Sequence, residues 1–164
     1  MKRFWVILTL SARIAALLFL ALVAMVFFWF LRGETRESAG PLTREKALHK
    51  TGLPLPSSAK NIQYVSYACF QDFESYVRFE APPADCYTTA QVIFDQHMKA
   101  NPKFVVPEFR PVSHPSPMRS ARLKTAWFDT ENIAKGSAAG ERSSWQPQIW
   151  IDDERGIFYY KVVD

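Results

Sequence analysis

An uninterrupted apolar run near the start of the chain constrains its structure more than any other feature. Residues Ile14 to Leu31 include no charged or strongly polar side chain, and as an α-helix they extend about 27 Å at about 1.5 Å per residue. The hydrocarbon core of a bilayer is about 30 Å thick, and the Arg13 side chain can reach the headgroups. The run is also longer than the apolar core of a cleaved signal peptide. It therefore predicts a retained transmembrane anchor.

The anchor divides the sequence into four predicted parts. Residues 1–13 form a short cytoplasmic tail, 14–32 the transmembrane anchor, 33–42 a polar tether, and 43–164 one extracytoplasmic domain. The last part is long enough for a single domain with its own hydrophobic core.

The two cysteines of the chain, Cys69 and Cys86, both belong to the predicted domain. An isolated pair in a small domain is typical of a disulfide formed in an oxidising compartment, and the alternative is a pair of buried thiols. Lysine and arginine flank the apolar run on both sides, so their count does not decide the orientation. The disulfide prediction decides it and places the domain outside the cytoplasm, on a single-pass protein of the bacterial inner membrane.

The formal charge of +4 does not indicate a nucleic-acid binder. Residues 1–33 carry four bases and no acid, and residues 34–164 carry as many acids as bases. Because nucleic-acid binders usually carry a basic domain or stripe, we expect no nucleic-acid partner.

Hydrophobic periodicity predicts strands at 61–70, 75–81, 148–152 and 156–163, and helices at 43–50 and 86–99. Between them we expect a proline-rich loop over 101–117, a short helix over 121–129, for which a strand is the alternative, and a flexible loop over 136–144. The predicted fold is therefore α+β: an N-terminal transmembrane helix, then one small domain with an antiparallel sheet of about four strands and one main packing helix.

No motif of known chemistry stands out in the sequence. The histidines lie in three different predicted elements, without metal-ligand spacing, and His97 is expected to be partly buried on its helix. Cys86 and His97 are about 16 Å apart along one helix, too far for a nucleophile and its base. We therefore predict no catalytic, cofactor-binding or metal-binding residue and no cofactor.

Aromatic side chains crowd the last forty residues. Trp150, Phe158 and Tyr160 are expected to share one face of the sheet, where they are candidates for a binding surface; the alternative is that they belong to the core.

The function expected from these features is that of a non-enzymatic envelope interaction or accessory domain. The alternatives are a membrane-tethered enzyme with an unrecognised site, and a glycan- or small-ligand-binding module that uses the C-terminal aromatics. The expected partners are the lipid bilayer, through residues 14–31, and either another envelope protein or anionic lipid headgroups near the basic proline-rich loop.

Overall fold

The protein is described by a computed structural model over residues 2–38, 40–69, 72–112, 125–140 and 146–163, with the side chains of 2–13 and 29–31 excepted. The described elements are three α-helices, seven strands and a short 3-10 helix (Thr130–Asn132). The α-helices and strands are α1 (Lys2–Leu31), β1 (Glu34–Glu37), α2 (Arg44–Thr51), β2 (Lys60–Cys69), β3 (Asp72–Glu80), α3 (Pro83–Ala100), β4 (Arg110–Pro111), β5 (Gly136–Ala139), β6 (Gln148–Asp152) and β7 (Ile157–Val163).

All seven strands join one antiparallel sheet in the order β1-β2-β3-β7-β6-β5-β4. The four strands that the sequence predicts, β2, β3, β6 and β7, form its centre. The fold-class prediction of about four strands is wrong, because three short strands extend the sheet at its edges. Of these, β1 lies within the predicted polar tether, and β5 within the predicted flexible loop.

The membrane-anchor prediction is also wrong. Among the residues that the structure describes, no helix has the length and apolar character needed to cross a membrane. The predicted inner-membrane location is contradicted with it, whereas the predicted contact of residues 14–31 with a lipid bilayer stays a prediction.

Local signals explain the two shorter helices. In α2, the Lys46 N–H donates to Thr43 Oγ1 over 3.4 Å, so Thr43 caps the helix. Gly52 ends it with a φ of +66°, and its N–H donates to Leu48 O. In α3, Pro83 lies in the first turn, where its missing N–H costs no helical hydrogen bond. The predicted helix at 121–129 is not present over 125–129, and 121–124 lie outside the described residues.

The sheet has apolar side chains on both faces. On one face α3 buries Cys86, Ala90, Ile93 and Phe94 against side chains of the four central strands and of β5. On the other face Phe128 and Ile133 pack on side chains that include Val65, Tyr76, Trp150 and Tyr159. These two layers contain most of the buried apolar side chains of the described domain. Burial of each large side chain stabilises the fold by about 1.5–3 kcal/mol.

Candidate binding groove

The predicted disulfide does not form. Cys69 and Cys86 are not joined, because the β2–β3 hairpin separates them. Cys69 pairs with Asp72 at one end of the hairpin, and Lys60 pairs with Glu80 at the other, roughly 30 Å away at about 3.3 Å per residue. Cys86 lies beside that far end, with its Sγ 3.6 Å from Ala81 O. A disulfide needs Cα atoms within about 7 Å.

The three predicted surface aromatics are buried and do not share a face. Trp150 is 2% exposed, Phe158 is fully buried and Tyr160 is 6% exposed. Phe158 and Tyr160 face α3, whereas Trp150 pairs with Tyr159 and packs with it on the opposite face. Trp150 also packs edge-on against Phe128, with ring centroids 5.9 Å apart. All three side chains belong to the core.

The sheet edge formed by β4 and β5 is incomplete. β4 pairs with β5 only at Arg110 opposite Ala138 and Pro111 opposite Ser137, and Val112 N–H donates to Gly136 O over 3.0 Å. At Arg110 the chain departs from β5, so β4 does not extend alongside Ala139 and Gly140. A gap opens there between the end of β5 and the segment that precedes β4.

This gap is a groove of about 540 Å³, a volume within the range of ligand sites. One wall is the segment 103–110, and the other is the end of β5 with Gly140 and Gln146. The lining residues are Lys103, Val105, Val106, Pro107, Glu108, Arg110, Ala138, Ala139, Gly140 and Gln146.

Two aromatic anchors fix the first wall on α3. Phe104 is buried 6.2 Å from Phe94 and 5.8 Å from His97, between ring centroids. Phe109 packs 5.2 Å from Tyr87 and 6.1 Å from Phe94. The residues between the anchors form a short arch, on which Val105 is 79% exposed. Pro107 restricts the backbone of this arch further.

A hydrogen-bonded group fixes the second wall on the same helix. Tyr87 Oη lies 3.0 Å from Ser137 Oγ on β5 and 3.1 Å from Asp153 Oδ1 in the β6–β7 turn. The phenol donates to the carboxylate and accepts from the serine hydroxyl. We call this group the Tyr87 latch. Because both walls are attached to α3, the groove is pre-formed.

The charge of the groove lining is positive. Lys103 and Arg110 stand at the two ends of the first wall, and both are exposed, with Glu108 between them. The sequence already indicates this bias, since bases outnumber acids around the proline-rich loop. Part of that loop, 113–117, lies outside the described residues.

Three titratable side chains on α3, those of Tyr87, Cys86 and His97, have pKa values shifted towards their neutral forms. Burial, then the Asp153 carboxylate, raises the pKa of Tyr87, so its phenol stays protonated and is a poor base for Ser137. Burial raises the pKa of Cys86 to about 12, and burial lowers the pKa of His97. His97 is partly buried, as predicted.

Asp152, at the start of the acidic β6–β7 turn, is held within the fold. Asp152 is 1% exposed and pairs with Arg155 Nε at 2.5 Å, and it accepts from the Arg155 backbone N–H at 2.8 Å. Within the described ranges, no group of three or more His, Cys, Asp or Glu side chains is placed to hold a metal ion.

The sequence indicates only one wall of the groove. The proline-rich loop is too long to be a simple connection, but the sequence predicts a flexible loop for the opposite wall. Its pairing with β6 depends on residues ten or more positions away. Comparison with known protein families, curated proteins and solved structures finds no match to this chain.

Proposed function

We propose that this chain is a binding domain that holds an extended segment of a partner macromolecule in the groove between residues 103–110 and the end of β5. The observation that carries the proposal is a groove whose two walls are both fixed on α3, by Phe104 and Phe109 on one side and by the Tyr87 latch on the other. A pre-formed site binds with little ordering cost.

The exposure of an apolar side chain in the groove lining supports the same proposal. Val105 is one of the most exposed apolar residues described, at 79%, and it lies beside Pro107 on the arch. An apolar side chain held out on a rigid segment, with charged residues at both ends, resembles the centre and rim of a protein interface. The buried positions of Trp150, Phe158 and Tyr160 give no such support to a glycan site on those aromatics.

The first experiment is a peptide-display selection on the purified full chain, followed by affinity measurement with the selected peptides. In Val105→Trp a large ring partly fills the groove, and because Val105 is exposed the substitution should leave the fold intact. Leu48→Trp is the matched control, since Leu48 is an exposed aliphatic residue on α2. This helix packs on β2, near the β1 edge of the sheet and far from the β4 edge.

We expect the selected peptides to bind Val105→Trp at least about tenfold more weakly than the wild type, and Leu48→Trp with unchanged affinity. Equal binding to all three proteins, or a selection that enriches no peptide, would overturn the proposal. Circular dichroism of both variants checks that the fold is unchanged.

A further inference from the structure

We infer that the occupant of the groove is an acidic peptide segment of another protein that adds to the sheet as a short strand beside the end of β5. This inference rests on the proposed function and specifies the conformation and charge of the partner. Its three supports are the protected outer edges of the sheet, the backbone direction at the end of β5, and the charge of the groove lining.

The two outer edges of the sheet are both protected against strand addition. At the β4 edge, Arg110 and Val112 direct their backbone groups to β5, so the nitrogen of Pro111, which has no hydrogen, faces outward. At the β1 edge all four residues are exposed, and Arg36 pairs with Glu34 at 2.9 Å. Charged side chains on an edge strand oppose pairing with another chain.

The groove is the place where strand pairing remains available. Backbone groups alternate along a strand, so the bond from Val112 to Gly136 places the backbone groups of Gly136 and Ala138 on the side facing β4. β5 ends at Ala139, and the alternation places the N–H of the next residue, Gly140, on the same side. The groove lies on that side of Gly140. An extended peptide there would continue the line of β4, as in strand addition by other peptide-binding domains.

Gly140 lines the groove and carries no side chain, so the described wall at this position is backbone. Its φ is +105°, and a Cβ would point at Pro147, 2.3 Å from Pro147 O, so glycine is required here by the close approach of residues 147 and 148.

The charge of the lining specifies acidic residues in the partner. Lys103 and Arg110 are exposed at the ends of the first wall, and Glu108 is the one acid among the lining residues described. Carboxylates near each end of a bound peptide would therefore meet a base, and such contacts should raise the association rate at low ionic strength.

The test uses three synthetic eight-residue peptides and fluorescence anisotropy with the full chain. The first peptide alternates valine and threonine between two pairs of aspartates, the second has lysines in place of the aspartates, and the third is the acidic peptide with N-methylated backbone amides. N-methylation removes the backbone donors while keeping the side chains, so it separates strand pairing from charge attraction.

We expect only the unmethylated acidic peptide to bind. Its affinity should fall at least about tenfold in K103E/R110E, and it should be unchanged in K46E/K50E, which carries the same change of charge on exposed positions of α2. Equal binding of the methylated peptide would overturn strand addition, and equal or tighter binding of the lysine peptide would overturn the acidic partner.

The outcomes also separate this inference from the proposed function. If the display selection yields groove-dependent peptides that are neutral or basic, the binding function stands and the acidic strand is wrong. If the acidic peptide binds the wild type and Val105→Trp equally, the groove is not its site and the acidic strand is wrong, while the display selection decides the binding function. A concentration-dependent dimer that Val105→Trp abolishes would assign the groove to a second copy and overturn the partner inferred here.

Discussion

The buried environment of Cys86 strongly changes the acidity of its thiol. Its side chain is fully buried at the start of α3. Burial first, and the charges of Asp85 and Asp153 next, raise the pKa of the thiol from 9.0 to about 12. A thiol of this kind is a packing group, because the thiolate is the nucleophilic form.

The same shift predicts a loss of stability at alkaline pH. Below pH 9 the thiol is protonated in both states, so its contribution is fully present. Above pH 9 the unfolded thiol ionises while the folded one does not, so the free energy of unfolding falls by about 1.4 kcal/mol per pH unit until about pH 12. Between pH 8.5 and 10.5, urea unfolding should show the wild type losing about 2 kcal/mol more than Cys86→Ala. Equal losses in the two proteins would contradict the prediction, and Cys69→Ser, with Cys86 intact, should behave as the wild type.

A side chain would meet different surroundings at three of the glycines, and this predicts an order for the stability lost when each is replaced by alanine. Gly140→Ala combines a positive φ with a contact to Pro147 O and should cost about 2–4 kcal/mol. Gly52→Ala, with a φ of +66° and open space, should cost about 1 kcal/mol. Gly40→Ala, with no atom within 4 Å and no positive φ, should be nearly neutral. Urea midpoints measure all three, and a Gly140→Ala cost no larger than that of Gly52→Ala would refute the steric argument.

The aromatic residues show what sequence can and cannot decide at this scale. Phe158 and Tyr160 are two apart in one strand, so their common face follows from period-two alternation. The face of Trp150 depends on the register across the β6–β7 turn, which pairs it with Tyr159. A shift of one residue in that register would reverse its face, and composition alone does not fix the register.

Among the elements, α3 packs on the central strands, and the Tyr87 latch joins it to β5 and to the β6–β7 turn. Tyr87→Phe removes the hydroxyl from Ser137 and Asp153 and should lower the free energy of unfolding by about 1–2 kcal/mol. Thr88→Ala, which removes an exposed bond to Ala84 O in the same helix, should change it by less than about 0.5 kcal/mol. Urea unfolding measures both, and a double-mutant cycle with Ser137→Ala should show coupling of at least about 0.5 kcal/mol. Additive effects would show that the latch carries no energy.

Elements with their own hydrophobic pattern were predictable, and those without one were not. β2, β3, β6 and β7 alternate or concentrate apolar residues, and α2 and α3 carry start or stop signals. β1, β4 and β5 have the sequences ETRE, RP and GSAA, which contain no such pattern. They are strands because a neighbouring strand offers them backbone partners, and this information lies elsewhere in the chain.

For the molecule as a whole, the groove combines parts that are distant in sequence. Its walls come from residues 103–110 and from 138–140 with Gln146, and in the described part of the chain α3 and the sheet join them. Sequence reasoning found the basic, proline-rich half of the site. It missed the other half because the sheet order, which brings β4 beside β5, is a property of the complete fold.

The position of β7 in the sheet has a consequence for how the molecule is made. β7 lies between β3 and β6, although the ribosome adds it after all six other strands. Until then, the β1-β2-β3 half and the β6-β5-β4 half have no common partner, and β3 presents an unpaired edge beside Val77 and Phe79. A newly synthesised chain is therefore open to mispairing for most of its synthesis, and the pairing of β3 with a strand about 80 residues later makes sheet closure a slow step in its maturation.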